Sequence, residues 1–261
     1  MQASINVSRD LSVQYLLRIG DTCLILAQRL AEWCGHGPML EEDIALTNMA
    51  LDLVGQARGV LTRAGRLEAE CGGEAHDEDQ LAFLRDERDF HNLTLVELPR
   101  GDFAATVLRN FAVATFLELL WQRLETSSDV ELSGIAGKAL KEARYHREHA
   151  ADWVVRLGDG TAESASRMKA ALDWLWPYMA EIFEVDAVDE HAVAARVGPR
   201  WADLGDEWRQ RMAAVLDAAG LEAPADRPFR STGKAGRHSE HLGYILAEMQ
   251  HLQRTFPGGV W

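Results

Sequence analysis

The sequence predicts an all-α protein centred on a bundle of four long helices. Apolar residues recur at three- and four-residue intervals through most of its 261 residues, alternation of β-branched residues is nearly absent, and glycine, proline and capping residues interrupt the pattern at helix-length intervals. Leu16, Leu17, Leu24, Ile25, Leu26 and Leu30 line a first long helix that closes at Gly35-His36-Gly37-Pro38. Leu46, Met49, Leu53, Val54, Val60, Leu61 and Leu67 line a second, stopping near Gly72-Gly73. A loop with short pieces, including Asp86 to Asn92 and the Pro99-Arg100-Gly101 turn, leads to Asp102. That residue is placed to cap a third helix through Phe111, Phe116, Leu120 and Leu124, because its carboxylate can accept from exposed backbone N–H groups. Thr126-Ser127-Ser128-Asp129 breaks this helix, and a fourth runs from about Val130 to Leu157 before Gly158-Asp159-Gly160 closes it.

Beyond the four, Leu172, Trp174, Leu175, Trp176, Ile182 and Phe183 mark a fifth helix, bent at Pro177 where the chain lacks an N–H. Trp201, Leu204, Trp208, Met212 and Leu216 mark a sixth. The polar stretch Leu221 to His238 reads as an ordered or semi-ordered loop, and a last helix from Ser239 to Thr255 precedes Pro257-Gly258-Gly259-Val260-Trp261. With no internal repeat and no flexible linker, a single domain, 1–261, is expected. Its core bundle would span about 10–157 and its added helices about 161–256.

Charge narrows the function. The net charge is −14 with acidic residues spread along the chain, which disfavours a phosphate-tracking surface or an anionic membrane as partner. Cys23, Cys34 and Cys71 are odd in number and have no Cys-x-x-Cys spacing, so small buried thiols in a reducing compartment are expected in place of disulfides or a zinc ribbon. Met1 to Asp10 is short and polar, unlike a signal peptide, and no apolar stretch reaches the ~18 residues of a membrane span. A cytoplasmic, soluble protein is expected.

The stretch Lys141-Glu142-Ala143-Arg144-Tyr145-His146-Arg147-Glu148-His149 nearly spells the metal-binding phrase of a ferritin-like di-iron bundle. Such a site takes Glu-x-x-His from each of two helices and an acidic residue from each of the other two, since a glutamate and a histidine three apart share one helix face. Three residues before His146 stands Ala143, and Glu142 lies four before it.

The runs Arg18 to His36, Ile44 to Arg58, Leu140 to His149 and Thr232 to Gln253 resemble the C subunits of the bacterial phenylacetyl-coenzyme A epoxidase, and the resemblance extends from Tyr15 to Trp261. It implies a ferritin-like fold and membership of a multicomponent oxygenase of aerobic phenylacetate breakdown. In that complex a related ferritin-like subunit holds the di-iron centre. Carried over from the catalytic subunit's pattern, Glu32 falls at the first ligand position. Asp52-Leu53-Val54-Gly55-Gln56 stands where that subunit has Asp-Glu-Ala-Gly-His, so Leu53 replaces the glutamate and Gln56 the histidine. The third-helix acid falls near Ala114, and Ala143 replaces the glutamate that accompanies His146. Glu32 and His146 alone survive. Two iron ions need several anionic oxygens, which leucine and alanine do not offer, so the resemblance implies a metal-free subunit with no catalytic residues and no cofactor of its own. Its partner would be the homologous catalytic subunit. Buried without a metal, Glu32 and His146 would be held by hydrogen bonds, to one another or to neighbours such as Gln56 and Tyr145.

The alternative is a metal-binding ferritin-like oxidoreductase active in its own right through Glu32, Glu142, His146 and His149. Three other features read more plainly as structure. Glu248-Met249-Gln250-His251 spells Glu-x-x-His once, with His238 and His241 upstream, and reads as solvated or interface-facing polar residues. Ser231 to Arg237 is small, cationic and followed by a helix, as a phosphate loop would be, but lacks the Walker spacing. The loop and helix start from Thr232 to Gly243 is expected to be an ordered packing or docking element and not a nucleotide site. Asp86 to Asn92 is acidic and aromatic and reads as a solvated or capping segment.

Overall fold

The computed structural model describes residues 3–225 and 227–259. Among these the protein is all-α, in keeping with a ferritin-like helical fold, and its helices in chain order are α1 (Leu11–Ala31), α2 (Leu40–Glu70), α3 (Glu78–Phe83), α4 (Thr94–Glu97), α5 (Phe103–Leu124), α6 (Val130–Gly158), α7 (Ala162–Met179), α8 (Ala187–Ala194), α9 (Gly205–Ala218), α10 (Glu240–Met249) and α11 (His251–Thr255). The expectations placed on Met1, Val260 and Trp261, and on Asp226 within the polar loop, lie outside the described residues.

By compactness the chain divides into two units. The first comprises the chain up to Gly37, Glu41–Pro99 and everything from Ser231 onward; the second is Pro38–Leu40 with Arg100–Arg230. This partition differs from the expected core at 10–157 with helices added at 161–256. The last helices return to the amino-terminal unit, and α5 and α6 form the body of the other.

In the first unit α1 and α2 run antiparallel, with Gly20 against Leu61 and Val60 while Cys23 meets Gln56 further along. Asp10 caps α1 by accepting from the N–H groups of Ser12 and Val13. The α2 helix buries Leu46, Met49, Leu53, Ala57, Val60 and Leu61 along one face. Two short helices, α3 and α4, were absent from the sequence reading, because six and four residues are too few to express a helical period. The expected last helix is broken in two at Gln250, whose side-chain amide donates to the carbonyls of Ala82 and Arg85.

In the second unit α5 and α6 form an antiparallel hairpin: Phe103 at the start of α5 meets Trp153 late in α6 edge-on at 5.0 Å, and Ser133 early in α6 bonds to the Glu125 carbonyl. Asp102 caps α5 as the sequence suggested, accepting from Ala105 N–H at 2.9 Å. Asp129 caps α6 in the same way, and Thr161 with Ser164 forms a capping box at α7. Pro177 lies in the last turn of α7, which passes into a 3-10 turn at Ala180–Phe183. The α8 helix is a further addition to the sequence reading, closed by Arg196 with its φ of 58°.

The expectation that no stretch is long and apolar enough to span a membrane fails for α5, whose 22 residues suffice by length and composition. Of its most apolar window 94% is buried within the protein, so it passes the test as a core helix does. Cys23 is buried, whereas Cys34 and Cys71 are exposed, contrary to the expectation of three buried thiols.

Candidate functional site

The interior of α1 carries a run of buried polar side chains, Arg18, Asp21 and Thr22, and around them the first unit assembles an ionic network. Both Asp21 carboxylate oxygens accept from Arg85, and Oδ2 also accepts the His91 N–H at 2.8 Å. The guanidinium of Arg85 donates as well to the Asp89 carbonyl at 2.8 Å and lies 4.1 Å from the centre of the Phe90 ring. Arg18 Nε donates to the Lys234 carbonyl at 3.2 Å, and Thr22 Oγ1 accepts from Leu93 N–H at 3.3 Å. Helix α1 thus holds two distant stretches of chain, 85–93 and 234, through polar contacts.

Glu97, fully buried at the end of α4, forms the second centre of this network. Its carboxylate accepts from Asn92 Nδ2 at 3.0 Å, from His238 Nδ1 at 2.8 Å and from the backbone N–H of Ser239, which caps α10. The other ring nitrogen of His238 faces the Phe90 carbonyl at 2.9 Å. With an acceptor at each nitrogen the ring donates twice only as imidazolium. Burial alone would lower the His238 pKa, but the hydrogen bond to Glu97 and its charge outweigh burial and raise it. His91 moves the other way, lowered chiefly by burial against an opposing pull from Asp21.

The small cationic loop is packed into this network. A Cβ on Gly233 would lie 2.5 Å from the Asn92 carbonyl oxygen, and one on Gly236, whose φ is 76°, would lie 2.7 Å from that of Arg88. Gly233 N–H donates to Thr94 Oγ1 at 3.1 Å, and Lys234 is buried. The glycines therefore serve close backbone approach within the protein. The segment Asp86 to Asn92, expected to be solvated or capping, is exposed at Asp86, Glu87 and Arg88, whereas Phe90 and Asn92 are buried and His91 N–H serves Asp21.

The positions that the resemblance would set at metal ligands fall in both units. On α2, Leu53 and Gln56 are buried, and Gln56 Oε1 faces Cys23 Sγ at 3.8 Å. Glu32 does not join them. It is the C-cap of α1, nine residues or about 13 Å of helix rise beyond Cys23, its side chain is 35% exposed, and it pairs with Arg29. The expectation of a buried Glu32 held near Gln56 is corrected accordingly: a residue at the frayed end of a helix reaches solvent and a neighbouring cation more readily than the core.

In the second unit Ala114, Ala143 and His146 are buried on α5 and α6, and the Tyr145 ring lies 6.2 Å from that of His146. The acidic residue that α5 does bring inside is Glu118, one turn after Ala114. It is buried and ion-paired with three arginines, Arg144 at 3.5 Å, Arg147, and Arg211 at 3.1 Å. The sequence reading missed it, although Arg144 and Arg147, three apart on α6, were a signal for a carboxylate opposite. Glu142 pairs along its helix with Lys138 at 3.6 Å, while Glu248 and His251 are both outside the core. Among the described residues no three His, Cys, Asp or Glu side chains gather in a way that could hold a metal ion. These residues do not fit a carboxylate-bridged di-iron centre, whose charge demands several oxygen donors.

Comparison with known proteins gives a consistent picture. The family model described as phenylacetic acid catabolic protein matches residues 1–261. Over 251 residues, 95% of this chain and 98% of the relative, the sequence is 48% identical to the C subunit of the 1,2-phenylacetyl-CoA epoxidase of Escherichia coli (strain K12).

Proposed function

The chain belongs to the phenylacetic acid catabolic protein family, and from that premise we propose that it is a non-catalytic structural subunit of a multicomponent phenylacetyl-coenzyme A epoxidase. It works in phenylacetate catabolism. Its task is to bind and stabilise the homologous subunit that holds the di-iron centre, in the cytoplasm and without nucleic acid or membrane as partner.

The observation that carries this reading is how the buried acids are satisfied. Asp21 is bound by Arg85, Glu118 by three arginines and Glu97 by the His238 ring and two N–H groups, so each of these three carboxylates is met by the protein's own cations and donors. Leucine and alanine stand where the resemblance requires ligand carboxylates, and they suit dry helix packing. The rival reading, a metal enzyme using Glu32, Glu142, His146 and His149, has no comparable support, since Glu32 and Glu142 lie beside cations of their own helices.

A stable complex is expected on co-expression with the catalytic subunit, eluting as one species in size-exclusion chromatography with light scattering. A stable interface buries on the order of 1,600 Å² in total. Separate elution of the two chains at micromolar concentration would count against the proposal.

A further inference from the structure

One face of α2 is exposed to solvent along much of the helix. At 3.6 residues per turn, Ile44, Asn48, Leu51, Val54, Gly55 and Arg58 share an arc of roughly 120°, opposite the buried row through Met49, Leu53 and Val60. Ile44 is 52% exposed, Leu51 64% and Val54 40%. Scattered single apolar residues on a surface need no explanation, but these three lie in one row at spacings of seven and three.

Gly55 supplies an independent sign. It lies in the middle of a 31-residue helix, where glycine is the least favourable residue after proline. Its φ is not positive, and a Cβ built on it would meet nothing within 4 Å. Neither the backbone nor the packing of this chain calls for glycine there. A glycine flush with an exposed apolar row lets the backbone of another helix come close.

We propose that this face of α2 receives a helix of the homologous catalytic subunit, an inference that rests on the function proposed above. The row is acidic at its beginning, with Glu41, and basic at its end, where Arg58 is 73% exposed beside Glu78 at 3.0 Å. It therefore fits an apolar helix that runs antiparallel and is likewise acidic at its beginning and basic at its end, so that opposite charges meet. A second copy of this chain is a poorer occupant, since each copy carries a net charge of −14. Because one row about three turns long covers much less than a stable interface, the face forms its apolar centre, with polar contacts at the rim.

The test compares binding of the purified catalytic subunit to the wild-type chain and to two variants, by calorimetry and by size-exclusion chromatography with light scattering. Leu51→Glu is expected to weaken binding by roughly tenfold or more, because it sets a charge at a dry contact. Gly55→Gln is expected to weaken binding while raising the melting temperature of the isolated chain, since glutamine is the better helix former at an exposed position. That opposite movement separates a blocked approach from a damaged fold. Tyr244→Glu, at a 70% exposed site on α10, is the control and should bind as wild type does. If the wild-type chain forms no complex, the proposed function itself fails. Should it bind while both variants bind equally well, the α2 face is not the interface. If the wild-type chain alone is a dimer that Leu51→Glu dissociates, the occupant is a second copy and the proposal is overturned.

Discussion

Replacing Asp21 by alanine is expected to lower stability by about 3–5 kcal/mol, the cost of leaving a buried charge without its partner. The side chains of Asp21 and Arg85 are fully excluded from solvent, and both carboxylate oxygens face the guanidinium. Without Asp21, Arg85 keeps the Leu81 and Asp89 carbonyls and the face of Phe90, and none of these supplies the lost negative charge; the His91 N–H loses its acceptor too. The double variant Asp21→Ala with Arg85→Met should recover much of the loss, because an apolar pair need not be charged to be buried. Urea unfolding followed by circular dichroism gives both values. A loss below about 1 kcal/mol for Asp21→Ala would show that the pair is not the centre of the network.

Glu97→Ala is expected to cost about 3 kcal/mol and to loosen the chain from Ser231 to the start of α10, since three donors lose one buried acceptor. Its pH dependence carries a sign. The folded-state pKa of His238 is raised, so the stability it contributes is fully present below its unfolded value of about 6.5 and is lost as pH rises through the folded value. The gap between wild type and Glu97→Ala should therefore be widest in mild acid and narrow as the medium becomes alkaline. His91, lowered by burial, acts in the opposite sense, with stability present above about pH 6.5 and lost as pH falls through its own folded value. Its charged neighbours Asp21, Arg85 and Arg18 are untouched by the variant, but its ring faces the Lys234 carbonyl in the loosened segment, so its titration is followed beside that of His238. Unfolding measured across the neutral range, with the His238 ring followed by NMR, checks the direction. A gap that does not change with pH would mean that His238 is not the charged partner of Glu97.

The long helices were legible because length lets an apolar period speak: α1, α2, α5, α6, α7 and α9 each repeat their buried residues over several turns. Caps were legible where an acid preceded the period, as Asp102 does. The short helices α3 and α4, and the break at Gln250, were not, because they depend on tertiary contacts such as the donation from Gln250 to Ala82 and Arg85. At the candidate site, Leu53, Gln56 and Ala143 were set at ligand positions by the resemblance alone. Where the remaining charges go could not be read from the residues. Asp21 meets Arg85 across 64 residues of sequence and Glu97 meets His238 across 141, and no local pattern records such a pairing. Glu32 illustrates the reverse error, a residue of the right type whose place at a helix end takes it out of the core.

The most direct measurement is the iron content of the isolated chain, by elemental analysis after expression in iron-supplemented medium. With Leu53, Ala114 and Ala143 buried where the resemblance would set metal ligands and the buried acid of α5 bound by arginines, no stoichiometric iron is expected. Two iron ions per chain, retained through purification, would contradict a metal-free structural subunit.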